Sequence, residues 1–234
     1  SGGLAGIGAG TVDPTDLVIV MSAALGALMM LGLAVTLPRM APPAAEEDLH
    51  SASADRRRAA ALWGLNGVVM FVLSGFELGI VLQGQQHPTL SSREISLMFA
   101  ECSLVMLGVN ALLFFTGLLE RAAGRGVMAA GLVLAIAGLA MLAQHRSDAW
   151  MYVGVSFTAA GTGLVLPTIS YLAAGASQRR LGTTMGGLAA AAGFGQTLGS
   201  AAAGWLFGAV AQLSFAWLAL PLLATLGTLI VRPT

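Results

Sequence analysis

Seven long, mostly apolar runs dominate the chain, near residues 17–37, 61–83, 94–118, 126–143, 150–175, 184–210 and 213–231. A helix needs roughly 20 such residues to cross a hydrocarbon core of about 30 Å. The runs are continuous and lack the alternation of barrel strands, so the fold class they predict is an all-α, polytopic transmembrane bundle of about seven spans. Composition agrees. Hydrophobic residues make up 56% of the 234 and charged residues 9%, with a mean hydropathy of +0.82, far from a soluble domain with about a quarter of its residues charged.

Arginine placement gives an orientation. Arg39, Arg56, Arg57, Arg58, Arg121, Arg125, Arg179, Arg180 and Arg232 fall on alternate connections, against Arg93 and Arg146 on the others. The positive-inside rule puts the first set, and the C-terminus, in the cytoplasm of a cell whose plasma membrane, the inner membrane in a bacterium, holds the protein. The stretch "PRMAPPAAEEDLHSASADRRRAA" reads as a flexible cytoplasmic linker at 38–60 and is the one candidate domain boundary. Its "DRRR" run is most simply a topology anchor, with a lipid or partner site as the alternative. Eleven arginines balance eleven acids, so no basic excess points to nucleic acid.

Several function classes drop out. The chain contains no lysine, which excludes a retinal Schiff base and a photoreceptor. Cys102 is the single cysteine and reads as a buried thiol, while His50, His87 and His145 are scattered through loops. No metal site or cofactor is expected from them. No phosphate-binding loop or nucleophile triad is present, so the chain is not read as an enzyme.

Two motif-like stretches carry a resemblance. In "GGLAAAAGFGQTLGSAAAG", Gly186, Gly195, Gly199 and Gly204 match the spacing of the glycine-rich antiporter motif of the major facilitator superfamily, with Ser200 at its proline and Ala203 at its penultimate glycine. In "GLLERAAGR", Gly117, Gly124 and Arg125 stand at positions of that family's cytoplasmic loop motif, with Arg121 at its aspartate and Glu120 one place early. The chain resembles the C-terminal half of such a transporter, of drug/proton antiporter type, preceded by its sixth span and central linker. The resemblance implies that residues 1–37 end an N-terminal half and begin partway through its fifth span. It further implies that 38–60 join the halves, that 61–234 form a six-helix bundle, and that the missing half comes from the same gene product or a separate chain. It also implies alternating access, with a small-molecule substrate and protons as partners in the bilayer, and an export or an uptake direction. A non-transporting scaffold that kept the fold is the reading from another class.

The residues add their own reading. Gly195 and Gly199, like Gly204 and Gly208, are four apart on one helix face and would let a neighbouring backbone approach, for packing or for a hinge. Pro167 removes a backbone bond inside its run. At about 100° per residue, Tyr152, Ser156, Gly163, Pro167 and Ser170 share a narrow face that would line a cavity or bond to backbone. Asn66, Met70, Ser74 and Glu77 form a second stripe, expected to face protein or water. The other methionines, among them Met98 and Met106, could offer adaptable apolar surface or ordinary packing.

Glu77 is the acid that stands out. A charge near mid-bilayer costs on the order of 3 kcal/mol on insertion scales, and low dielectric favours the neutral form of a carboxyl, which suits a proton carrier. The alternative is an acid near enough to the outer surface to be hydrated. Glu101 is the second intramembrane acid, expected at a similar depth, either as partner to Glu77 or as a satisfied structural group. Asn66, Met70, Ser74, Tyr152, Ser156 and Ser170 are the candidate substrate path.

Overall fold

A computed structural model describes residues 49–86, 91–121, 124–144, 147–176, 181–210 and 213–231. The run at 17–37 and residues 38–48 of the expected linker therefore lie outside the described residues, and the chain divides into two units, Ser1–Glu47 and Asp48–Thr234. The second unit is all-helical among its described residues. It contains α1 (Leu49–Gln86), α2 (Ser92–Thr116), a short α3 (Leu118–Arg121), α4 (Gly124–Gln144), α5 (Asp148–Ala176), α6 (Leu181–Val210) and α7 (Ser214–Val231).

Five of these helices are long and apolar enough to cross a membrane: α1 from Arg56 to Gln85, α2, α4, α5 from Ala149 to Gly175, and α7. The expected span at 184–210 is not among them. It is a helix of 30 residues without a charge, about 45 Å long, but glycine, alanine, serine, threonine and glutamine hold its hydropathy down. Residues 49–60 of the expected linker are helical and continue α1, and the alanines and arginines of "LHSASADRRRAA" are strong helix formers.

Local signals fix the helix ends. Ser91 caps α2: its hydroxyl accepts from the Glu94 amide while the Glu94 carboxylate takes the Ser91 amide at 2.7 Å, a capping box encoded as Ser-x-x-Glu. Gly117 ends α2 with φ 58° and ψ 29°, the left-handed conformation that a Cβ disfavours by roughly 1–2 kcal/mol. Gly117→Ala is accordingly expected to lower stability by about 1 kcal/mol in detergent unfolding, and Gly117→Asn by less; an alanine variant as stable as the native protein would contradict the cap.

Close contacts give the helix directions. Along α1 and α6, Gly67 meets Ala191, Phe71 meets Gly199 and Ser74 meets Ser200, so both numbers rise together and the helices are parallel. Glu101 meets Ser156, and Met106 and Val109 meet Gly163, which makes α2 and α5 parallel as well. In contrast, Gly131 lies against Gly161 and Gly138 against Gly154, so α4 and α5 are antiparallel. Gly75 lies against Leu218 and Gly79 against Phe215, which makes α7 antiparallel to α1. Arg125, at the start of α4, donates from Nη2 to the carbonyl of Leu229 near the end of α7, so α4 and α7 are antiparallel, and a cation sits where the α7 dipole is negative.

These directions reduce to one rule. If α1, α4 and α6 point up, then α2, α5 and α7 point down. The set α1–α2–α4 thus runs up, down, up, and α5–α6–α7 runs down, up, down. Exchanging the sets maps the α1/α6 contact onto α5/α2 and the α4/α5 contact onto α7/α1, and leaves the α4/α7 and α1/α5 contacts in place; all of these pairs are present. The unit is built as two three-helix sets of opposite direction that share these principal neighbour relations, while the α6/α7 contact has no α2/α4 counterpart of similar extent.

The shared core lies between the sets, with Phe76 and Ile80 of α1, Leu132 and Leu139 of α4, Met151 of α5 and Phe215 of α7 fully buried. Phe207 and Phe215 meet edge to face at 5.5 Å. The outer surface is apolar. Leu104, Leu107, Phe114 and Phe115 of α2 are exposed, as are Phe194 and Trp205 of α6, a surface compatible with an integral membrane protein, which places such side chains against lipid.

Candidate functional site around Glu77 and Glu101

The polar stripe on α1 does two different jobs. Asn66 is buried and its Nδ2 donates to the Leu188 carbonyl at 2.9 Å. One turn earlier, Trp63 Nε1 donates to the Thr184 carbonyl, also at 2.9 Å. Two turns later, the Ser74 and Ser200 hydroxyls share a bond of 2.6 Å. All three bonds join α1 to α6, so Asn66 and Ser74 spend these polar groups on the helix seam. Met70 is partly buried and packs against the core.

Glu77 separates from its stripe. It is exposed on the six-helix unit, and α1 continues nine residues past it, from 77 to 86, about 13 Å. The carboxylate thus sits well inside the helix, on a face that the described helices leave uncovered. Glu101 is half-buried on α2, and its Oε1 accepts a 2.6 Å hydrogen bond from the Ser156 hydroxyl on α5. Its other oxygen, Oε2, is buried without a hydrogen-bond partner. Cys102, next to Glu101 on α2, is a buried thiol.

The α5 face divides in the same way. Ser156 and Gly163 turn toward α2, with Gly163 at ordinary contact distance, 3.5 Å, from Met106 and Val109 for a Cβ placed there. Tyr152 is partly buried against the core. Ser170 is exposed and spends its hydroxyl on the Leu166 carbonyl of its own helix at 3.1 Å, the alternative already weighed for this stripe. Pro167 lies inside α5, which continues to Ala176.

The glycine motif is half confirmed as a packing device. A Cβ on Gly195 would lie 2.2 Å from the Gly67 carbonyl oxygen, and one on Gly199 would lie 2.0 Å from that of Phe71. Gly186, Gly204 and Gly208, by contrast, have nothing within 4 Å of that position, so the close approach expected at Gly204 and Gly208 is corrected. A Cβ on Gly124 would lie 3.2 Å from Leu172 of α5. The closest backbone approach outside the α1/α6 seam is at Gly131, Gly138, Gly154 and Gly161 between α4 and α5. Its signal was a pair of glycines seven apart on each of two successive runs.

The described residues contain no cluster of three or more histidine, cysteine or acidic side chains able to hold a metal ion. What remains is the Glu101 carboxyl bonded to the Ser156 hydroxyl, and the exposed Glu77 on α1. Comparison with models of known protein families and with curated proteins finds no match for this chain.

Proposed function

We propose that this chain is the C-terminal half of a proton-coupled secondary transporter of the major facilitator type, exporting small hydrophobic or amphipathic compounds by alternating access. The observation that carries the reading is the pair of three-helix sets with opposite direction and matching neighbours. Repeats of inverted topology are a recurrent plan of secondary transporters, because two sets that can exchange roles give outward- and inward-facing states of similar energy. The resemblance of the glycine-rich stretch and of "GLLERAAGR" to that family's motifs supports the same reading.

Coupling would reside in Glu77 and Glu101. An ionised Glu77 exposed toward lipid is costly, so its face is read as the wall of an aqueous cavity completed by an N-terminal half. Protonation would neutralise the carboxyl for one half of the cycle, and release on the other side would drive the exchange. Uptake would use the same carboxyls, and a substrate screen distinguishes the two directions.

The test is proton-gradient-driven flux in proteoliposomes, with an N-terminal half supplied. Glu77→Gln is expected to abolish gradient-driven flux while leaving substrate binding within a few-fold of native. Unchanged flux would remove Glu77 from the coupling, and no flux from the native protein across a broad compound panel would favour the scaffold reading.

A further inference from the structure

We propose that the Ser156–Glu101 hydrogen bond is a protonation-governed latch between α2 and α5, with the exchangeable proton seated on Glu101 Oε2. The inference rests on the reading of the chain as a proton-coupled transporter and assigns the two acids different tasks. Glu77 is exposed on the uncovered face. Glu101 instead bridges two helices, with one oxygen bonded and the other buried and unpartnered.

The two oxygens pull in opposite directions. At 2.6 Å the Ser156 hydroxyl is within the range of bonds to an ionised carboxylate, which are roughly twice as strong as neutral ones. The ionised state therefore grips α5 through Oε1 but leaves Oε2 as a buried charged acceptor without a donor. When a proton from water forms an O–H bond at Oε2, the charge disappears and the Ser156 bond weakens to a neutral one. Water takes the proton back on release, and no other bond is made or broken. Protonation thus removes the buried charge while weakening the Ser156 bond, so a single proton changes how tightly the helices hold.

The surroundings leave this bond in control. Close to it, α2 and α5 meet through Gly163 against Met106 and Val109 at ordinary contact distance, without the tight backbone approach of the α1/α6 and α4/α5 seams. Cys102 is the titratable neighbour of Glu101 on its own helix, while Glu77 lies on α1 and Tyr152 one turn before Ser156 on α5. Arg93, the arginine nearest to Glu101 in sequence, lies about 12 Å away along α2.

Infrared difference spectra of the full chain in lipid nanodiscs, acid minus alkaline, test the latch without transport. A protonated-carboxyl band is expected that Glu101→Gln removes. Ser156→Ala should move it to higher wavenumber, as a carbonyl freed of its donor does, and Ser156→Thr should restore the native position. A band that survives Glu101→Gln, or that does not move in Ser156→Ala, overturns the latch. The outcomes separate from the transport reading: an intact, Ser156-dependent Glu101 band in a protein that moves no substrate would sink the transporter and leave the latch. Normal gradient-driven flux without that band would sink the latch alone.

Discussion

Gly199→Ala is expected to destabilise the protein by about 2 kcal/mol, while Gly204→Ala, five residues further along the same helix, is expected to be neutral or stabilising by up to about 1 kcal/mol. The two glycines are equivalent by residue type and by their place in the glycine-rich stretch. They differ in what a methyl group would meet. At position 199 it would lie 2.0 Å from the Phe71 carbonyl oxygen, 2.8 Å from its carbonyl carbon and 2.9 Å from its Cα. All three are backbone atoms of α1, so no rotamer change relieves the clash and the helix must move. Such a movement also strains the Asn66–Leu188 and Ser74–Ser200 bonds on the same seam. At 204 the methyl enters open space, and only the better helix propensity of alanine is felt. Paired unfolding measurements in one detergent check this. Equal effects of the two substitutions would mean that α1 and α6 do not approach as closely as Gly195 and Gly199 allow.

The helices themselves could be read from the apolar runs, because charge marks where a membrane helix has to stop. Runs expected at 94–118, 126–143 and 150–175 are matched by Ser92–Thr116, Gly124–Gln144 and Asp148–Ala176. Two differences from the expected runs have physical causes. The α1 helix continues back to Leu49 because helix propensity persists after hydropathy has fallen. The 184–210 run forms a helix but lacks the apolarity of a free-standing span, since its face toward α1 is made of glycine, alanine and threonine selected for backbone approach.

The candidate site was legible in its residues more than in its pairings. A helical wheel places Asn66, Ser74 and Glu77 on one side of α1, but it cannot say that α6 bonds to the first two and leaves the third exposed. Likewise Ser156 was visible as a polar group on α5, while its partner Glu101, 55 residues earlier, depends on α2 and α5 running parallel. Helix order in space is a tertiary property set by side-chain fit across seams, and it is not contained in the period of any one helix. That is why the inverted pair of three-helix sets, on which the functional reading depends, became visible only from contacts between residues far apart in sequence.

Two engineered disulfides test that arrangement directly, and both are expected to form in high yield under mild oxidation in a Cys102→Ala background. The first joins Gly67→Cys to Ala191→Cys, where a Cβ on residue 67 lies 3.8 Å from that of Ala191, the typical separation across a disulfide. The second joins Ser74→Cys to Ser200→Cys, whose native hydroxyl oxygens are 2.6 Å apart. The two pairs together decide direction. From 67 to 74 is seven residues, about 10 Å, and from 191 to 200 is nine, about 13 Å. If α1 and α6 were antiparallel and joined at the first pair, the second would be separated by roughly 24 Å and could not close. The crossed combination of Gly67→Cys with Ser200→Cys should stay reduced for the same geometric reason. Failure of either matched pair while the other closes would end the parallel α1/α6 assignment. With it would go the exchange of α1–α2–α4 with α5–α6–α7, the one architectural observation from which the transporter reading is built.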